Sequence, residues 1–194
     1  MLHPTTAPLT TINPMQTYPA HLIKHLTLAD GTPVTLRPIC AADARIEQEF
    51  VRSLSDEARY FRFMDMLREL SPQMLRQMTE IDYHNQMALI AVTPSHNYEV
   101  QIAVGRYVVL PNGEDCEFAI AVSDGWQKKG IASELMKLLI EAARARGLKN
   151  MIGEVLASNV KMLDFVRRLG FKLTTDPADP RQLRATLDLQ RGPR

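Results

Sequence analysis

Asp124-Gly125-Trp126-Gln127-Lys128-Lys129-Gly130-Ile131-Ala132-Ser133 lies between seven residues of strand composition, Cys116 to Val122, and an amphipathic run from Ile131 to Arg146 that stops at Gly147. The decad therefore reads as a strand-to-helix turn. At such a turn the first N–H groups of the helix lack intrahelical partners, and the helix dipole favours an anion in front of them. Phosphate is the usual occupant. Gly130 permits close backbone approach and Ala132 adds almost no side chain, so a diphosphate has room on the amides while Lys128 and Lys129 supply charge. Two familiar phosphate loops are excluded by spelling: no G-x-G-x-x-G follows a strand, and no G-x-x-x-x-G-K-[ST] occurs. A plain helix-start turn remains the competing reading of these residues.

Downstream of the turn, Met151 to Ala157 reads as a strand, followed by a helix from about Val160 with Met162, Phe165, Val166 and Leu169 on one face and Gly170 at its stop. Phe171 to Thr175 and Leu183 to Leu189 close the chain as strands around Asp176-Pro177-Ala178-Asp179-Pro180. Upstream, Met87 to Thr93 and Val100 to Leu110 are strands, the second interrupted by Gly105, which predicts a bulge. Pro111-Asn112-Gly113 turns the chain into the strand at Cys116.

Ahead of these come three helical segments. Asp43 to Leu54 carries Ile46, Phe50, Val51 and Leu54 on one side; Ser55 caps a short helix through Arg59, Tyr60, Phe61, Arg62, Phe63 and Met64; Ser71-Pro72 starts a third. The middle one mixes aromatic and basic residues, which suits either packing of Arg stems over rings or a wall of an acceptor site. Leu22 to Leu28 and Pro33 to Ile39 flank Asp30-Gly31 as a hairpin. Residues 1–20, with Pro4, Pro8, Pro14 and Pro19 among threonines, read as a flexible leader to a single domain over 21–194.

Composition narrows the function classes. The 194 residues are 45% hydrophobic and 23% charged, in the range of globular proteins, and 23 basic against 22 acidic residues give +1, no electrostatic case for nucleic acid or a membrane surface. No apolar run approaches a membrane span, and no export signal opens the chain. Cys40 and Cys116 lack C-x-x-C spacing, which suits a reducing cytoplasm. His21 and His25 are four apart on an extended segment without the H-E-x-x-H glutamate, so no metal is expected.

Gln127-Lys128-Lys129-Gly130-Ile131-Ala132 resembles the [RQ]-x-x-G-x-[GA] acyl-CoA pyrophosphate loop of the GNAT superfamily of N-acetyltransferases. The element order from about Leu22 to Leu189 is similar to that family end to end, and Asn159 with Arg168-Leu169-Gly170-Phe171 falls at its second CoA-contacting segment. The resemblance implies an α/β (α+β) GNAT fold, with a mixed, mostly antiparallel central sheet flanked by helices. It implies acetyl-CoA as co-substrate, held by Gln127 to Ser133, by backbone N–H groups of Ala121 and Val122 at the thioester carbonyl, and by Asn159 on the pantetheine. Asn159 is equally well placed as a helix N-cap. Ser55 to Phe63, Cys116-Glu117-Phe118-Ala119 and Gly153 to Asn159 look like bacterial protein-lysine acetyltransferases that modify acyl-CoA synthetases. A protein lysine is then the implied acceptor, with a small amine, or a catalytically weak acyl-CoA-binding module, as alternatives. A homodimer is left open.

Amide formation needs a neutral amine, whereas lysine has a pKa of about 10.4, so roughly one in a thousand is unprotonated at neutral pH. Glu117 is the candidate general base: alternation sets it with Ala119 and Ala121 on one strand face, opposite Cys116, Phe118, Ile120 and Val122. The resemblance assigns the catalytic glutamate to the same position; a solvated strand-start glutamate is the alternative. Counting back from Gly170, the tyrosine many relatives use as acid is replaced by Val166, which leaves water to protonate the thiolate. Cys116 reads as a buried small hydrophobe, or as a nucleophile lacking a sequence-evident histidine.

Overall fold

A computed structural model describes residues 17–63, 68–96, 98–175 and 179–191. In chain order the elements are β1 (Lys24–Thr27), β2 (Pro33–Pro38), α1 (Ala44–Ser53), α2 (Asp56–Phe63), α3 (Pro72–Thr79), β3 (Gln86–Ser95), β4 (Tyr98–Val109), β5 (Asp115–Val122), α4 (Ile131–Ala145), β6 (Asn150–Leu156), α5 (Val160–Arg168), β7 (Lys172–Thr175) and β8 (Gln182–Asp188). One sheet joins the strands in the order β1-β2-β3-β4-β5-β6-β8-β7. Every neighbouring pair is antiparallel except β5 and β6. A parallel pair needs a crossover, and α4 supplies it.

Helices cover both faces. Leu36, Leu89, Tyr107 and Ile120 meet Leu135, Leu139 and Val166 in one core, on the side of α4 and α5. On the other side Ile90, Val92, Val104 and Ala121 meet Ile46, Phe50 and Val51 of α1, together with Leu70. Each fully buried aliphatic side chain contributes about 1.5–3 kcal/mol. Among the described residues, the second helical layer stops at β5: Ile152, Glu154 and Leu156 of β6 are half-exposed on that side.

The β5–β6 ladder is short. It holds Asp115↔Asn150, Cys116↔Met151 and Glu117↔Ile152, and beyond it β5 continues to Val122 paired only with β4. The residues just past the last pair show why. The Phe118 ring lies against Gly153, where an added Cβ would stand 2.4 Å from it, and against Phe171 with ring centroids 5.1 Å apart. An aromatic wedge thus occupies one face of the gap while the other face opens.

Three expectations are modified. Gly105 is no bulge: it pairs in regular register with Leu89 and Ile120, and its missing Cβ admits Leu139 of α4, whose Cδ1 would be 2.8 Å away. The register shift falls at Ala91/Val92 instead. Residues 1–16 of the expected leader lie outside the described residues, as does Met64 of the expected second helix. Tyr18 is anchored, donating to the Pro38 carbonyl at 3.0 Å and meeting Tyr83 edge-on. No helix among the described residues is long and apolar enough to cross a membrane.

Candidate active site

Where β5 and β6 part, a cavity of about 900 Å³ opens. Its floor is Glu117 to Val122 of β5 and Gly153 to Leu156 of β6. Gln127, Lys128 and Gly130 with Ile131, Ala132 and Ser133 of α4 form one end, and Asn159, Lys161, Met162 and Phe165 line the α5 side. From the opposite layer α2 contributes Glu57, Ala58, Phe61 and Arg62, so this mixed helix is a cavity wall as well as a packed element.

The turn has the geometry its spelling predicts. Lys128 (φ 62°) and Gly130 (φ 85°) are left-handed, and the first helical bond runs from the Glu134 N–H to the Gly130 carbonyl at 3.2 Å. The N–H groups of Ile131, Ala132 and Ser133 therefore have no intrahelical acceptor. Gln127 turns inward, its Nε2 donating to the Val122 carbonyl (3.4 Å) and to Asp124 Oδ1 (3.3 Å). Lys129 departs from the expected pattern. Its ammonium sits 2.7 Å from Asp30 and over the Trp126 ring at 5.0 Å, and its side chain does not line the cavity. That hydrogen bond, with those from Thr32, holds the Asp30 carboxyl far below the usual range.

Glu117 is exposed into the cavity and has no hydrogen bond or ion pair among the described residues. Its neighbours on that face are Ala119 and Ala121, as alternation requires, whereas Cys116 and Phe118 point into the α4 core. The Ser123 N–H donates to Ile102 on the β4 side at 2.9 Å. By alternation the Ala121 N–H also faces β4, and the Val122 N–H faces the gap. Of the two expected carbonyl donors, Val122 thus turns its N–H to the gap, and Ala121 offers its methyl to the wall.

Asn159 combines both of its expected placements. Its Oδ1 accepts from the Met162 N–H at 3.1 Å as the cap of α5, and the residue lines the cavity with its amide hydrogens uncommitted among the described residues. Val166 is 0% exposed in the core, so counting back from Gly170 arrives at a position facing away from the cavity; Met162 and Phe165 face it instead. Burial pushes the Cys116 thiol up to about 12, which removes it as a nucleophile. His25 bonds Thr35 Oγ1 at 3.1 Å, and no group of three or more metal-ligating side chains occurs among the described residues.

Several wall residues escaped the sequence reading. Gly153 was signalled by a glycine in mid-strand. Lys161, Phe165 and Arg168 share one face of α5 through their spacing of four and three, and Trp126 lay inside the quoted decad. Arg62 was signalled only by its place in the mixed helix; burial, then the nearby Arg106, push its guanidinium down to about 10, with Glu47 opposing.

Comparison with known proteins follows this geometry. Residues 50–171 match the model of the acetyltransferase (GNAT) family. The chain belongs to that family. An acetyltransferase of Pseudomonas aeruginosa is 34% identical over 157 residues, covering 81% of this chain and 84% of the relative. Acetyltransferase Pat of Mycolicibacterium smegmatis is 29% identical over 136 residues, and there the GNAT chain spans only 40% of the relative's length. The crystal structure of the GNAT domain of S. lividans PAT superposes with a TM-score of 0.79 at 28% identity, covering 88% of this chain and 99% of that one. The protein is thus an N-acetyltransferase of a family that uses acetyl-CoA, and its eight-stranded mixed sheet with five helices is a GNAT fold.

Proposed function

We propose that this GNAT enzyme transfers the acetyl group of acetyl-CoA directly to a lysine amine of a partner protein, with Glu117 as general base. The observation that carries the proposal is Glu117 itself: a carboxylate without a partner among the described residues, on the cavity floor at the last β5–β6 pair, beside two alanines. The free amides of Ile131 to Ser133, with Gln127 and Lys128, hold the diphosphate of the co-substrate, and Asn159 holds its pantetheine arm. Lys129 contributes its place in the turn, its charge being committed to Asp30.

In the reaction Glu117 accepts the proton of the acceptor ammonium, directly or through one water, and the freed lone pair attacks the thioester carbon. The Val122 N–H donates to the developing oxyanion; a donor so placed is worth roughly 3–4 kcal/mol. As the carbon–sulfur bond breaks, the attacking nitrogen passes its second proton through water to the departing thiolate, whose pKa is near 8.5, leaving the amide and the free thiol. Likeness of Ser55 to Phe63 and Gly153 to Asn159 to protein-lysine acetyltransferases, together with kinship to the PAT domain, supports a protein acceptor. An acyl-CoA synthetase is the first candidate.

The test is a screen of purified acyl-CoA synthetases and small amines with acetyl-CoA, following thiol release and acetyl-lysine by mass spectrometry. Acetylation of a synthetase lysine supports the reading. Turnover confined to small amines replaces the acceptor, and binding of CoA without turnover on any amine makes the protein a binding module.

A further inference from the structure

We infer that Asp124 is a positioning residue that ties the acceptor-side helix α2 to the coenzyme turn, so that seating of acetyl-CoA fixes the acceptor wall. This rests on the coenzyme site proposed above.

The Asp124 carboxylate faces both ways. Its Oδ2 receives the Ser55 N–H at 3.2 Å, while its Oδ1 receives both the Ser55 Oγ–H at 3.2 Å and Gln127 Nε2 at 3.3 Å. Ser55 is the residue before α2 and caps it, its Oγ accepting from the Ala58 N–H at 3.2 Å. A carboxylate at this end also complements the helix dipole. Gln127 is the first residue of the Q-x-x-G-x-A turn and is bonded to the Val122 carbonyl at the edge of the gap. Asp124 therefore stands between two walls that are 69 residues apart in the chain.

What makes the tie matter is that, among the described residues, no side chain of α2 is fully buried. Its main packing is onto β5, and Asp56, Glu57 and Tyr60 are exposed, unlike the buried stripe of α1. Yet Glu57, Ala58, Phe61 and Arg62 from this helix shape the cavity opposite Glu117. A lightly packed element that must present four side chains depends on its end contacts. Once the turn is clamped on a diphosphate, Gln127 and Asp124 lose their freedom, and Ser55 follows.

Hydrogen exchange of α2 amides with and without acetyl-CoA, in wild type and Asp124→Ala, tests the tie. Acetyl-CoA is expected to protect both 127–133 and 56–63 in wild type, but only 127–133 in the variant. With the acceptor that turns over in the screen above, Asp124→Ala is expected to raise the acceptor KM about tenfold, the loss of one charged hydrogen-bond set. The KM for acetyl-CoA should stay within about threefold, and Asp124→Asn, which keeps an accepting oxygen, should recover part of the effect. Should Asp124→Ala fail to fold, Ser55→Ala, which removes the Oγ bond to Asp124 together with the cap bond from Ala58, must reduce the acetyl-CoA-dependent protection of 56–63 while leaving that of 127–133. Protection of 127–133 without protection of 56–63 in wild type overturns the tie while leaving the coenzyme site standing. Protection of neither overturns both.

Discussion

A carboxylate on a strand is ordinarily solvated; what singles out Glu117 is that the strand beside it ends its pairing at that residue. Glu117→Gln is isosteric and cannot take a proton, so turnover should fall on the order of 10²–10⁴-fold, measured as initial rates at saturating acetyl-CoA. Cys116, at 0% exposure with its thiol pushed up by burial, should resist iodoacetamide in the native protein and react only after denaturation, as mass spectrometry of the alkylated chain will show. At this scale the site was half legible. The place of Glu117 on the cavity floor follows from alternation and the left-handed Gly130 from the turn, whereas the Lys129 ammonium points away from the cavity to Asp30, 99 residues off in the hairpin. Only the folded chain brings those two charges together. For Val166, sequence spacing counts turns of a helix but leaves unsaid that this position faces the core.

Elements were legible wherever one local signal sufficed. The capped start of α3 at Ser71-Pro72, the period of α4 and the hairpin at Asp30-Gly31 appear as expected, within a residue or two of their ends. Gly105 predicts a bulge from sequence, but a mid-strand glycine signals either a bulge or a close approach, and the same holds at Gly153. Both turn out to be close approaches, to Leu139 and to Phe118. Gly153→Ala should therefore force the Phe118 ring aside and cost about 1–3 kcal/mol in denaturant unfolding. Combining it with Phe118→Leu should recover part of that loss, because the smaller side chain vacates the contested space; additive losses would show that the wedge is not what parts the strands.

Across the whole molecule, stability should depend on pH through carboxylates that the fold keeps ionised. Burial disfavours the Asp43 charge, yet two bonds from Arg37, at 2.7 and 2.8 Å, and the Cys40 N–H outweigh it and hold the carboxyl below its usual value. Asp82 is half-buried, which raises its carboxyl, but N–H donors from His84, Gln86 and Asn85 outweigh that and lower it. A carboxyl depressed on folding stabilises the native state above its unfolded pKa of about 3.9, and that contribution disappears as pH falls toward the folded value. Thermal midpoints should be flat from neutrality to about pH 5 and decline below about pH 4, and Asp43→Asn should flatten the decline. A mixed, mostly antiparallel sheet was implied by the family resemblance, but the short β5–β6 ladder that creates the cavity depends on Phe118, Gly153 and Phe171 meeting in space.

The most direct test of coenzyme and base in one cleft is a paired measurement on Glu117→Gln: the dissociation constant for acetyl-CoA by calorimetry, and the single-turnover transfer rate to the identified acceptor. Binding within about threefold of wild type with transfer slowed at least about 100-fold is the predicted result. Transfer at the wild-type rate, or loss of binding and transfer together, would contradict the assignment of Glu117 as the base.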